Sequence, residues 1–155
     1  MKVVLQRVVS ARVEVFKDAH DATPHAVRGI AHGFAVLLGV AQGDTTVSAD
    51  KLIDKMTGLR VFADAEAKMN LDIRQAAGSF LVVSQFTLLA DTKKGRRPSF
   101  IHAADPATGE ELYRYTVDRL RALGFTVETG EFGAHMIVHI ANDGPVTILL
   151  DTDQW

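Results

Sequence analysis

Val3-Val4-Leu5-Gln6-Arg7-Val8-Val9 and Ala11-Arg12-Val13-Glu14-Val15-Phe16, either side of Ser10, decide the class of fold. Valines alternate there with polar residues, which predicts two paired strands. Residues 17–29 break the alternation, and the polar, proline-bearing run Lys17 to His25 reads as an exposed hairpin loop. Phe34-Ala35-Val36-Leu37-Leu38-Gly39-Val40 is a continuous apolar run of strand length, as expected of a strand buried on both faces. Leu52, Met56, Leu59 and Phe62 recur at helical spacing and predict a helix from about Ser48 to Val61. Phe80 to Leu89 reads as a central strand. A second helix has two candidate starts, Asp105-Pro106 and a capping box of Thr108 with Glu111, and Gly124 as its stop. Thr126 to Glu128, Met136 to Ala141 and Val146 to Asp151 close the chain as strands. The expectation is one α/β domain over residues 1–155, with a mostly antiparallel, curved, barrel-like sheet and two main helices packed on it.

The chain has 155 residues and a formal net charge of −2, so any contact with nucleic acid has to come from a local patch. It has no cysteine, which excludes a disulfide, a thiolate zinc site and a cysteine nucleophile. No stretch has the length and apolarity of a membrane span, and Arg7 interrupts the only apolar run near the start. A cytoplasmic protein is expected. Gly39 and Gly43 do not open a phosphate-binding loop. His135 and His139 share a strand face, but no third ligand, His102 included, is spaced to complete a metal site. No metal and no cofactor is expected.

Two segments carry the chemistry. Ser84-Gln85-Phe86-Thr87-Leu88 and Asn142-Asp143-Gly144-Pro145-Val146-Thr147 each set small hydroxyl and amide residues at the end of an apolar run. With these go Leu5-Gln6-Arg7-Val8, Leu59-Arg60-Val61-Phe62, Lys68-Met69-Asn70-Leu71, Gly95-Arg96-Arg97-Pro98-Ser99-Phe100 and Gly130-Glu131-Phe132-Gly133-Ala134. In this order, from residue 5 to residue 147, they resemble the D-aminoacyl-tRNA deacylases. Two features depart from the pattern: a longer loop near residues 18–28, and Asp72 where a serine is common.

The resemblance implies an ester hydrolase that frees a D-amino acid from the 3′ end of tRNA. It also implies a homodimer with active sites at the subunit interface, and possible attack on glycyl-tRNA. Phe86 and Thr87 are then expected to present backbone N–H groups to the substrate carbonyl, with Ser84 and Gln85 shaping the adenosine pocket. Thr87 is also a candidate nucleophile. Its hydroxyl is weak without a base, and none lies beside it in sequence. The implied mechanism uses the 2′-hydroxyl of the terminal ribose instead. Asn142, Gly144 and Pro145 are expected to bind the substrate in the partner subunit. There a cis Gly144–Pro145 bond would present carbonyl oxygens to the α-amine, and an L side chain would collide with them. Arg7 is expected to pin that segment from below, or to be a surface arginine on a strand. Phe132 and Met136 are candidates for the pocket lining and, taken alone, read more simply as core.

Lys93, Lys94, Arg96 and Arg97 form the one dense basic cluster, a candidate contact for tRNA phosphates. The expected partner is the aminoacylated tRNA end, with neither DNA nor membrane. Two other classes compete: a tRNA-binding module without turnover, and a hydrolase of small acyl esters indifferent to the ribose.

Overall fold

The computed structural model describes residues 1–93 and 95–155. Its first element is one strand, β1 (Lys2–Phe16), where two paired strands are expected from the sequence. Ser10 has no glycine, proline, asparagine or aspartate beside it, so nothing there reverses the chain. β1 runs antiparallel to β2 (Ala26–Ile30) and β3 (Gly33–Gly39). The partners Ala11↔Ile30 and Val8↔Gly33 keep one register, so β2 and β3 form a single broken rail beside β1. The break in strand pattern is confined to residues 17–25. Gly33 is indispensable to this rail: its φ is +152°, and a Cβ there would lie 1.9 Å from the Ser79 carbonyl oxygen.

β6 (Ser79–Ser84) pairs parallel to β3, and β7 (Val127–Thr129) parallel to β6. Parallel neighbours need long crossovers, which α1 (Thr46–Gly58) and α2 (Pro106–Ala122) supply. A short hairpin of β4 (Phe62–Ala63) and β5 (Met69–Leu71) stands apart. β8 (His135–Asp151) returns along the other edge of β1 as one strand through Gly144-Pro145, where two strands and a turn are expected. The sheet is thus mixed, with antiparallel pairing dominant, and it is nearly closed into a barrel. Arg28 of β2 reaches across the gap to the Thr129 carbonyl at the end of β7 (3.1 Å).

β3 and β6 are covered on both sides. Phe34, Val36, Leu38, Phe80 and Val82 meet Leu52 and Met56 of α1 and Leu112 and Leu120 of α2. Ala35, Leu81 and Val83 face a second core with Val8, Ala11, Val13 and Val15 of β1. β1 changes core along its length: Val3 and Leu5 lie in the first, and the later valines in the second. Val8 and Ala11 would point to opposite faces of a regular strand. The register shift between Val8 and Ser10 brings them to the same one.

α1 begins and ends earlier than its apolar spacing predicts. Gly58 closes it, Leu59 is already extended (ψ 124°), and Phe62 belongs to β4. Phe62 mimics a helical position because it is buried from elsewhere, against Phe34 at 4.9 Å between ring centroids. Of the two candidate starts of α2, Asp105-Pro106 is the one used, and Thr108 lies inside the first turn. Asp105 accepts from the Ala107 and Thr108 amides (3.1 Å each), and Thr108 Oγ1 donates to its other oxygen (2.7 Å). These bonds, that from the Thr108 side chain first, hold the Asp105 carboxyl below the usual carboxylate range. Gly124, at φ +87°, follows the helix end. Among the described residues no helix is long and apolar enough to cross a membrane.

α2 is bolted to the sheet by Tyr113, whose hydroxyl donates to the Val82 carbonyl (2.9 Å) in the core. Burial pushes its phenol up to about 12. The folded state therefore keeps the proton in a range where the unfolded chain, near the ordinary value of 10.0, has lost it. Stability is full below pH 10 and falls between 10 and 12. Tyr113→Phe is expected to cost about 1 kcal/mol at pH 8. That deficit should vanish near pH 11, because the wild type alone loses about 1.4 kcal/mol per unit there. Urea unfolding at both pH values measures it.

Candidate active site

The strand that carries Ser84 stops at Ser84. Gln85 donates its N–H to the Leu38 carbonyl (2.8 Å), and Phe86–Leu89 then coil into a 3-10 turn in place of the strand expected to Leu89. Gly39 makes room for that coil. A Cβ there would meet Leu89 Cδ2 at 2.6 Å, the Gln85 oxygen at 3.0 Å and Leu88 Cβ at 3.2 Å. The turn has a chemical consequence. In a strand the N–H groups of Phe86 and Thr87 would feed the ladder. As the first donors of a turn they lack an acceptor inside it. Among the described residues neither has a hydrogen-bond partner, and both residues are exposed, Phe86 at 55%.

The Thr87 hydroxyl is bonded to the Gln85 side-chain amide. A carboxamide cannot take up a proton in this range, so this partner orients the hydroxyl without activating it. No imidazole or carboxylate is hydrogen-bonded to Thr87 among the described residues. Ser84 and Gln85 are half-buried beside it.

The second segment is a bulge of β8. Between the pairs Gln6↔Thr147 and Val8↔Asn142, one residue of β1, Arg7, faces four of β8, Asp143 to Val146. Arg7 fills the space beneath and is only 11% exposed. Its Nη1 donates to the Val61 carbonyl (2.5 Å), and its Nε lies 2.9 Å from Asp143 Oδ2 without a well-aligned hydrogen bond. The Gly144–Pro145 peptide is cis. Thr147 Oγ1 accepts from Asn142 Nδ2 (3.1 Å) and Gln6 Nε2 (3.3 Å), which ties the two ends of the bulge. Gly144 and Pro145 are exposed at its crest.

Within one chain the two segments do not meet. Ser84 lies level with Leu38, and Arg7 level with Phe34. From β6 through β3 and β1 to β8 they are roughly 13 Å apart along the strands and roughly 14 Å across them.

Residues 4–151 match the family described as D-Tyr-tRNA(Tyr) deacylase. The chain belongs to that family. It is 51% identical over 154 residues to a D-aminoacyl-tRNA deacylase of Symbiobacterium thermophilum, covering 99% of this chain and 97% of the relative. It is 53% identical over 152 residues to one of Pseudomonas fluorescens, covering 98% of this chain and all of the relative. Among solved structures, a c-Myc DNA unwinding element binding protein superposes at a TM-score of 0.85, with 36% identity over 97% of this chain and 98% of that one. A structure described as a "probable eukaryotic D-amino acid tRNA deacylase" superposes at 0.77 with 16% identity over 96% and 97% of the two chains, a likeness of fold.

The remaining residues picked out for this family fall into three groups. Met136 Sδ packs against Gly130, where a Cβ would be 2.4 Å away, and the same point lies 3.8 Å from Val83 Cγ1, one residue before Ser84. Phe132 leans on α2 at Gly109 and Tyr113, its ring 6.1 Å from that of Tyr113. Lys93, Arg96 and Arg97 are exposed on a loop closed by reciprocal Asp91 and Ser99 backbone bonds (2.7 and 2.9 Å). That closure brings Phe100 edge-on to Phe86 at 5.0 Å, so the basic loop starts beside the turn. Lys94 lies outside the described residues. The histidines are separately engaged: His139 with Glu14 (3.1 Å), His135 with the Phe16 ring (5.7 Å) and His102 3.8 Å from Asp91. Gly39, Val61 and Phe100 are site-shaping residues that periodicity alone does not single out. The glycine ending an apolar run just before a turn was the readable signal.

Gly144 has φ +113°, and a Cβ on it would sit 3.0 Å from Arg7 Nη2 and 2.9 Å from Val146 Cγ2. Gly144→Ala is expected to cost about 1–3 kcal/mol in urea unfolding, from backbone strain and displacement of Arg7. Pairing it with Arg7→Ala should give less than the sum of the two losses.

Proposed function

We propose that the chain is a hydrolase that cleaves the ester between a D-amino acid and the 3′ end of tRNA, a proofreading step in translation. The observation that carries the mechanism is the pair of N–H groups of the exposed residues Phe86 and Thr87, unpartnered among the described residues, where no base is bonded to the Thr87 hydroxyl either. Ester hydrolysis places negative charge on the carbonyl oxygen, and preorganised donors aimed at that charge contribute about 10²–10³ in rate each. The neighbouring 2′-hydroxyl of the terminal ribose serves where a side-chain base is lacking. Ser84 and Gln85 border the adenosine, and Phe132 and Met136 line the side of the amino-acid pocket.

Chirality is read by main chain. The Gly144 and Pro145 carbonyl oxygens accept hydrogen bonds from the substrate ammonium, and an L side chain is thrown against the same backbone. A reader of this kind ignores the identity of the D side chain, and it leaves glycyl-tRNA open to attack because glycine has no side chain to reject. The separation of the two segments within one chain supports the view that Gly144-Pro145 serves the turn of a second copy, in a homodimer. β8 supports it too. Among the described residues only one of its edges is paired, and Leu149, 76% exposed, and Ile137 project from it. The basic loop of Lys93, Lys94, Arg96 and Arg97 then holds tRNA phosphates. The substrate places the protein in the cytoplasm.

The test is release of D-tyrosine from D-tyrosyl-tRNA with the L ester left intact, by a protein of dimer mass in solution. Thr87→Ala should keep activity within about tenfold, as expected of a residue that only orients substrate. Total loss in a folded variant would make Thr87 the nucleophile. Arg96→Ala with Arg97→Ala should lower the salt slope of tRNA binding by about two. Salt-dependent binding without product at high enzyme concentration would leave the binding-module reading instead.

A further inference from the structure

Between the 3-10 turn and the basic loop lies a polar cleft of about 500 Å³, which the mechanism above leaves unused. Its lining includes Leu89, where the turn ends, Asp91 and Lys93, where the loop begins, and Gln42 and His102. That volume falls within the range of small-molecule sites. The segments beside the cleft are stitched together by main chain. Gln42 donates its N–H to the His102 carbonyl (2.9 Å), Ala104 donates to the Val40 carbonyl (3.0 Å), and Ala41 bridges antiparallel to Ala103. The Gln42 side chain adds a bond from Nε2 to the Ile101 carbonyl (2.8 Å). Asp44 fixes the start of the stretch, because its carboxylate accepts from the Ala41 N–H (2.6 Å). The shape is therefore set before any ligand arrives.

The polar groups follow one pattern. The bond through Nε2 leaves the Gln42 amide with Oε1 as an acceptor, and that oxygen has no partner among the described residues. Asp91 Oδ1 accepts from the Lys93 N–H (2.9 Å), while its Oδ2 is 3.8 Å from His102 Nε2, too far for a hydrogen bond. His102 is a flat ring, 62% exposed. Two acceptors beside an exposed ring suit a base that carries an exocyclic amino group and can stack. Lys2 and Lys93 border the same cleft as cations for a phosphate, Lys2 while also pairing with Asp151 (3.4 Å). Position narrows the choice of base. On the reading above, the ester binds at Phe86 and Thr87, and tRNA phosphates bind from Lys93 onward. Phe86 to Leu89 rises roughly 6 Å in 3-10 geometry, about the reach of one nucleotide. The nucleotide before the terminal adenosine therefore has to cross the cleft. In tRNA that nucleotide is a cytidine, whose N4 amino group is a donor.

We propose that this cleft is a second nucleotide subsite, which takes the penultimate cytidine of the tRNA 3′ end. Gln42 and Asp91 accept from the cytosine amino group, His102 stacks on the base, and Lys2 and Lys93 face its phosphate. This rests on the deacylase reading. The subsite touches no reacting atom, so it acts on the binding of the RNA end and leaves both the ester chemistry and the reading of chirality alone.

The test compares D-tyrosyl esters of adenosine, of cytidylyl-adenosine and of uridylyl-adenosine. In the wild type the cytidylyl ester should have a KM about tenfold below that of the adenosine ester, the discrimination expected of one good base contact. Its kcat should stay within about twofold. The uridylyl ester, with a carbonyl in place of the amino group, should lose most of that gain. Gln42→Ala combined with His102→Ala should raise KM for the cytidylyl ester about tenfold. KM for the adenosine ester should stay within about twofold, which also shows that the variant is folded. A second readout needs no turnover. The imidazole NMR signal of His102, assigned by its loss in His102→Ala, should shift on adding unacylated cytidylyl-adenosine and stay in place with adenosine. Equal KM for the cytidylyl and adenosine esters in the wild type, or an unmoved His102 signal, would overturn the subsite, while cleavage of the D esters keeps the deacylase reading. A shifted His102 signal without turnover of any D ester would sink the deacylase reading and keep the nucleotide subsite.

Discussion

Arg7 holds up four residues of β8 with one residue of β1, and the shape of the Gly144-Pro145 crest follows from that mismatch. A guanidinium this deeply covered needs partners, because a charge taken out of water is costly unless it is paired. Arg7 finds a carbonyl on one side, at Val61, and a carboxylate on the other, at Asp143. The fit is incomplete: Arg7 Nε and Asn142 Oδ1 are buried without a hydrogen bond among the described residues, and both flank the bulge. Unpaired polar atoms concentrated at one segment mark a shape kept at some expense of stability. Gly144 belongs to the same constraint. Its positive φ and the guanidinium beneath it leave no room for a side chain, so the crest of the bulge offers bare main chain.

A second constraint acts at the far end of β6. The sheet consumes backbone donors wherever a strand continues, so a site built from N–H groups has to begin where pairing ends. Ser84 is that boundary, and Gly39 is the reason the turn can begin there, since it lets the Phe86–Leu89 coil close down on the end of β3. This also explains the shortage of chemistry-bearing side chains around Thr87. In the proposed mechanism fixed amides would do the polarising, while the Gln85 carboxamide is bonded to the Thr87 hydroxyl.

Much of this was legible from local pattern, and the failures have physical causes. The apolar run at Phe34 announced a strand covered on both faces, because both cores need it. The starts at Asp105 and Thr108 cannot be ranked from sequence because each carries capping chemistry, but only Asp105 caps the helix; Thr108 lies in the first turn and donates its hydroxyl to the Asp105 carboxylate. Phe62 misled because burial from a neighbouring hairpin imitates helical spacing. Ser10 misled because a register shift within one strand resembles a boundary between two. The 3-10 turn was missed because Phe86-Thr87-Leu88-Leu89 is as apolar as a strand, and only its fit against Gly39 decides otherwise. The bridge from Arg28 to Glu131 spans 103 residues and follows no period, so no local reading reaches it.

β8 is where the proposed pairing of two copies would bear on the chemistry. It is a 17-residue strand with one edge unpaired among the described residues, and edges of that length are usually blunted by lysines, prolines or covering elements. β8 carries no lysine, and its single proline sits in the bulge. Adding a second copy would cover the apolar residues that project from the strand. It would also carry the Gly144-Pro145 crest away from its own turn and toward another molecule's. The same bulge that keeps the crest off its own sheet makes it a projection able to enter a neighbour. A device that sorts mirror images needs a rigid surface facing the substrate from the side opposite the donors. A single sheet presents its own strands to one another only through their packed faces. In the proposed homodimer, a surface supplied by a second copy would remove the geometric conflict, and chirality checking would belong to the pair while ester polarisation stayed with each turn.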